Sequence, residues 1–187
     1  FIPELKDFEG DTYPINVMVP HAGYQYSGAI ASHGYCNIVE NGFPEVFIIL
    51  SPNHTGFGSE ISVFNEGEWI TPLGNVEVDS EFADEIISVS DYASADFQAH
   101  VQEHSIEVQL PFIQYFSSDF KIVPITMESQ TFVTSNDLAN AIFEAGNKLG
   151  KSYCVLASTD LSHFNNQEKA NKVAGFVLED IEEMNAF

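Results

Sequence analysis

Apolar and polar positions divide the chain into two alternating kinds of segment. Short apolar runs rich in β-branched residues, "INVMV" (15–19), "VFIIL" (46–50), "ISVF" (61–64), "KIVPIT" (121–126) and "YCVLAS" (153–158), have the composition of strands. Three of them lack polar alternation, which predicts strands covered on both faces. Between them, "SGAIASHGYCNIVENG" predicts a helix capped by Ser27 and ended at Asn41-Gly42, and "SEFADEIISVS" predicts one starting at Ser80. "SNDLANAIFEAGNKLG" repeats the pattern, with Gly150 as its stop. "EHSIEVQLPFIQYF" predicts a helix beginning near His104, capped by Glu103 or Ser105 and kinked or divided at Pro111. "ISVFNEGEWITPLGNVEVD" differs from the rest and predicts a hairpin or meander turning at Asn65 to Gly67. Strands alternating with helices imply an α/β domain, a three-layer α/β/α sandwich around a mainly parallel or mixed sheet. No repeat, low-complexity tract or linker interrupts the chain, so one domain is expected.

Composition narrows the class. A chain of 187 residues with 44% hydrophobic content supports one substantial core. Its apolar runs are a few residues long, against about 18 needed to span a bilayer, and no secretory signal pattern opens it, so a soluble, cytoplasmic protein is expected. Cys36 and Cys154 each sit within an apolar segment and read as buried thiols rather than as a disulfide or as ligands. The net charge of −22 arises from 28 acids against six lysines, with no arginine. Such a surface repels phosphate backbones and anionic lipid, which excludes nucleic acid and membrane surfaces as partners. The acids are dispersed, as in "DSEFADEIISVSD" and "VLEDIEEMNAF", and read as solvated helix faces.

The candidate chemistry lies at strand ends. "VMVPH" ends a strand at His21, "VFIILSPNH" follows one with His54, and "YCVLASTDLSH" follows one with Asp160, Ser162 and His163. Ligands of open α/β sheets bind beyond the carboxyl ends of the strands, so three such deliveries point to one shared site. His33 falls mid-helix and is assigned to packing or capping, and His100 to the surface or to support of the site. His104, placed at a helix start, would feel the positive end of the dipole, which favours the neutral imidazole that a general base requires.

The motifs "PHAGYQYSG", "SPNHTGFG", "EGEWITPLGNVEVD", "EHSIEVQLPF", "KIVPITM" and "STDLSHF", in this order, resemble the Memo family. That family is similar in fold to the class III, LigB-like extradiol dioxygenases. The resemblance implies a single Memo-like domain over 1–187, incomplete at both ends, with a metal pocket at the strand ends. It implies His21 and His54 as ligands, a third ligand at Ser162, and His104 as catalytic acid/base. A neutral hydroxyl suits Fe(II), Cu or Zn poorly, and Asp160 and His163 flank Ser162 as alternatives. Fe(II) is the first expectation for the metal, Cu or Zn the alternatives, and an empty site the third. Tyr24, Tyr26 and Asn53 are the candidate substrate contacts. The implied function is a metal-binding protein with redox or oxygenase activity on a small aromatic substrate. The alternative is a non-catalytic module that binds a peptide or protein in the same crevice. The resemblance also implies partnership with a radical-SAM protein and an AMMECR-type protein.

Overall fold

The computed structural model describes residues 15–183. In chain order the elements begin β1 (Val17–Val19), α1 (Tyr24–Asn41), β2 (Val46–Pro52), β3 (Ile61–Val63), β4 (Glu68–Thr71), β5 (Gly74–Val78) and α2 (Ser80–Val89). They continue with β6 (Ala93–Ala95), α3 (Leu110–Phe116), β7 (Lys121–Met127), α4 (Phe132–Leu149), β8 (Tyr153–Ser158) and α5 (Gln167–Glu182). Two 3-10 turns, Gln98–His100 and Glu107–Gln109, separate β6 from α3. The first 14 residues of the expected domain, and the last four of "VLEDIEEMNAF", lie outside the described residues.

The strands form one mixed eight-stranded sheet in the order β1-β8-β2-β7-β3-β6, with β1, β8, β2 and β7 parallel. β5 runs parallel to the start of β7, and β3 antiparallel to its end. The change of partner explains a proline inside a buried strand. Pro124 lies between Ile122, which pairs with β5, and Ile125, which pairs with β3, so its missing N–H falls where the ladder is already interrupted.

Alternation along β2 sends Phe47 and Ile49 to one face and Val46 and Ile48 to the other, all four buried. On the first face Ala31, Tyr35 and Ile38 of α1 and Leu110 and Ile113 of α3 complete a core. On the second, Phe82 and Ile86 of α2 and Leu138 and Ile142 of α4 complete another. The result is the expected three-layer sandwich. α5 buries no residue and leaves Phe176, Leu178 and Ile181 exposed.

Several local expectations are corrected. α1 starts at Tyr24 after Gly23, so Ser27 lies inside its first turn, where its Oγ donates to the Ala22 carbonyl. α4 starts three residues before Ser135, because Thr131 and Thr134 form a capping box, and it stops at Gly150 in the left-handed region (φ 63°) as expected. The hairpin joins β4 to β5 through Pro72 and Leu73 rather than turning at Asn65 to Gly67, and β3 pairs elsewhere. Pro111 stands in the first turn of α3, where a missing N–H costs nothing, so it starts that helix instead of dividing a longer one.

Candidate functional site

Three adjacent parallel strands each present a polar side chain two residues beyond their carboxyl ends: His21 after β1, Asp160 after β8 and His54 after β2. The backbone ladder thus fixes their spacing before any side chain is considered. The His21 and His54 ring centroids lie 5.3 Å apart. With Ser51, Met127, Gln130, Ser158 and His163 these residues line a pocket of about 450 Å³. A larger cleft of about 740 Å³ opens at the amino ends of the strands, but it has no histidine, and Lys121 and Lys151 pair with its Glu77 and Asp79.

The segment between β6 and α3 crosses the carboxyl edge and brings in Glu103 and His104. The Glu103 side chain is fully buried, against 39% exposure for His54 and 55% for His104. Its Oε2 accepts the His54 backbone N–H at 2.7 Å. Its Oε1 accepts from His54 Nδ1 at 2.9 Å, from the His104 and Ser105 N–H groups at 3.0 Å each, and from Ser105 Oγ at 2.7 Å. Burial alone would raise the carboxyl pKa, yet these donors, the His54 groups foremost, hold it at about 2. An ionised carboxylate only accepts, so His54 Nδ1 carries a hydrogen, and in the neutral ring Nε2 is left with the lone pair.

His54, Glu103 and His104 offer ligand-type atoms within 4.8 Å of one another. A metal bound by Glu103 Oε1 would displace hydrogen bonds from an oxygen that already accepts four. Glu103 is therefore suited to orienting histidines rather than to ligation.

His21 is buried, with Nδ1 on Ser158 Oγ at 3.1 Å. Its Nε2 has no hydrogen-bond partner among the described residues and lies 3.7 Å from Asp160 Oδ1. Burial lowers the His21 pKa, Asp160 opposes that, and His54 and His104 reinforce it. Asp160 Oδ2 in turn meets His163 Nδ1 at 2.8 Å.

The His104 ring centroid is 5.8 Å from that of His21 and 5.0 Å from that of His54, at the rim of the pocket. α3 begins only at Leu110, so His104 lies outside its first turn, and the nearer charge is Glu103, 3.4 Å from its Nδ1.

Other candidates lie elsewhere. Ser162 lines a neighbouring groove with Tyr26, Ile30 and Leu178, and its Oγ accepts from Asn165 Nδ2 at 2.8 Å. Tyr24 donates to the Val108 carbonyl, and Tyr26 is 78% exposed. Asn53 Oδ1 accepts from Thr55 N, Thr55 Oγ1 and Gly56 N at 2.9 Å each, which organises the loop that carries His54. His33 is exposed on α1 instead of packed.

His100 is buried rather than at the surface. Its Nε2 donates to the Ser62 carbonyl, so Nδ1 accepts from Thr126 Oγ1, which must in turn accept from Ser51 Oγ. Burial holds its pKa down at about 4. Ser51, at the pocket wall, is left with only lone pairs to offer. Sequence reasoning read Glu103 as a cap and passed over Ser51, Gln109 and Ser158. The one signal for Glu103 was a carboxylate beside a candidate histidine in "EHS".

Fold and site together define an α/β sandwich whose parallel strands gather histidines and a carboxylate at their carboxyl edge. The chain belongs to the Memo-like protein family, whose model matches residues 3–186. It is 72% identical over 186 residues to a MEMO1 family protein of Methanobrevibacter smithii, covering 100% of this chain and 66% of that one. It is 54% identical over 168 residues to one of Thermococcus kodakarensis (88% and 58%), and 53% identical over 151 residues to one of Pyrococcus abyssi (79% and 52%). The chain spans between about half and two thirds of the length of these relatives. No helix among the described residues is long and apolar enough to cross a membrane.

Proposed function

We propose that the histidine pocket holds a metal ion, with His21 and His54 as ligands and Asp160 as the carboxylate beside them, and acts on a small aromatic or redox substrate. The observation that carries this reading is the buried His21 Nε2, which has no hydrogen-bond partner among the described residues. A buried nitrogen lone pair is costly unless something donates to it or coordinates it. Two imidazoles and a carboxylate suit Fe(II), the metal the family resemblance favours, and also suit Zn(II).

Such an ion supplies Lewis-acid polarisation or electron transfer when bound. The chain's own residues do the rest. Glu103 orients His54, Ser51 offers an acceptor to a substrate donor, and the apolar wall of Leu50, Met127 and Ala157 limits water. His104, exposed at the rim, exchanges protons with solvent and reaches the mouth of the pocket as its acid/base.

The alternative, a peptide-binding module, is supported by the exposed Tyr26, Ile30 and Leu178 in the adjoining groove. Among the described residues no lysine lines the histidine pocket, so a phosphorylated peptide finds no lysine counter-charge from them there.

Metal analysis of anaerobically purified protein beside a His21→Ala, His54→Ala double variant tests the reading. Wild-type protein should carry metal and the folded double variant should have lost it. Equal content in both would sink the proposal. A His104→Ala variant should keep its metal and lose turnover of a catechol supplied with oxygen, whereas a binding module would turn over no diol in either form.

A further inference from the structure

We propose that Ser158 is a positioning residue which fixes the tautomer of His21, placing its hydrogen on Nδ1 and its free lone pair on Nε2. A chain of buried hydrogen bonds, in which each group has one possible role, fixes that hydrogen. Gln109 is fully buried at the 3-10 turn before α3. Its Nε2 lies 3.2 Å from the Pro20 carbonyl, which can only accept, so the amide nitrogen is at that end. The hydroxyl of Tyr35, on α1, meets the other end at Oε1 and is consistent with this orientation. Gln109 Nε2 therefore also donates to Ser158 Oγ, at 2.7 Å.

The Ser158 hydroxyl has one hydrogen, and the Ser105 carbonyl, 2.6 Å away, takes it. What remains on Oγ is two lone pairs. Gln109 fills one, and His21 Nδ1, at 3.1 Å, faces the other. An acceptor facing Nδ1 requires a hydrogen there, and a neutral imidazole then has none on Nε2.

Asp160, 3.7 Å from Nε2, pulls the other way. For the hydrogen to sit on Nε2, however, Nδ1 would face an oxygen with no hydrogen to give unless Ser158 abandoned Ser105. The network thus presents a ready ligand atom to the pocket, as the ionised Glu103 does independently for His54. The consequence for metal binding rests on the function proposed above, but the tautomer itself does not.

Long-range ¹H–¹⁵N NMR of the metal-free protein reads the tautomer directly, above about pH 8.5 where an unperturbed imidazole is neutral. His21 should show a protonated Nδ1 and a pyridine-type Nε2. In Ser158→Ala the hydrogen should move to Nε2, towards Asp160, while the His54 signature stays as in wild type. Ser158→Thr, which keeps the hydroxyl, should restore the Nδ1–H form. Titration with Zn(II) alone should give 10- to 100-fold weaker binding in Ser158→Ala than in wild type. A wild-type His21 with its hydrogen on Nε2 overturns the proposal even if no variant folds, and so does an Nδ1–H form that survives Ser158→Ala. A wild type with the expected spectrum that binds no zinc would refute the metal reading and leave the tautomer assignment standing.

Discussion

Glu103 is a fully buried acid whose two oxygens accept five hydrogen bonds, three of them from backbone N–H groups. Converting it to Gln keeps its volume but removes the charge and turns one acceptor into a donor facing donors. Glu103→Gln should destabilise the fold by about 1–3 kcal/mol, the cost of buried groups left unpaired. It should also weaken Zn(II) binding by 10- to 100-fold through a misoriented His54. Denaturant unfolding and calorimetric titration would measure these, and two unchanged values would deny the residue its orienting role. His21 and His54 were legible in the sequence because each closely follows an apolar run. Glu103 was not, because a carboxylate in a polar segment is solvated by default, and only the crossing over β2 buries it.

At the scale of elements, the loop between β2 and β3 aims His54. Asn53 holds one end through its side-chain oxygen, and the other end turns at Gly58, whose φ of 94° is left-handed. A Cβ at Gly58 would come within 2.8 Å of Ala99 Cβ and Asp96 Oδ2. Gly58→Ala combines backbone strain with a clash and should cost about 1–3 kcal/mol, read as a lowered thermal midpoint. A midpoint at or above wild type would show that the loop relaxes freely. The five apolar runs became strands, and those of β2, β3 and β7 are buried on both faces, as their lack of polar alternation predicts. β6 escaped notice because "ASA" carries little apolar signal, and the helix expected at His104 starts later because Pro111 fits only a first turn.

For the whole molecule, acid stability follows from two buried groups of opposite chemistry. His100 is held neutral, at about 4 against an ordinary 6.5, so the unfolded chain binds its proton first. Its stabilisation is complete above pH 6.5 and is lost as pH falls towards 4. Glu103, at about 2 against 4.5, loses its contribution between those values. Each is worth on the order of 3 kcal/mol. The 28 acids complicate the lower window, since protonating exposed carboxylates relieves repulsion in a chain of charge −22. The upper window, from about pH 6.5 to 4.5, belongs to His100, with a contribution of the same sign from His21. Urea unfolding across that range should show falling stability in wild type and a flatter profile in His100→Gln. Parallel profiles for the two proteins would contradict the assignment.

The sequence by itself determined the layer architecture and which strands end in histidine, because both follow from hydrophobic period and from residues adjacent along the chain. Strand order, and hence the meeting of His21, Asp160 and His54, was decided only by tertiary structure, since pairing β8 between β1 and β2 joins residues more than a hundred positions apart. The same holds for the hydrogen on each ring nitrogen. Tautomers are set by the acceptors that burial brings close, and Ser158 lies 137 residues from His21. Local sequence can name a side chain, but its protonation and aim belong to its neighbours in space.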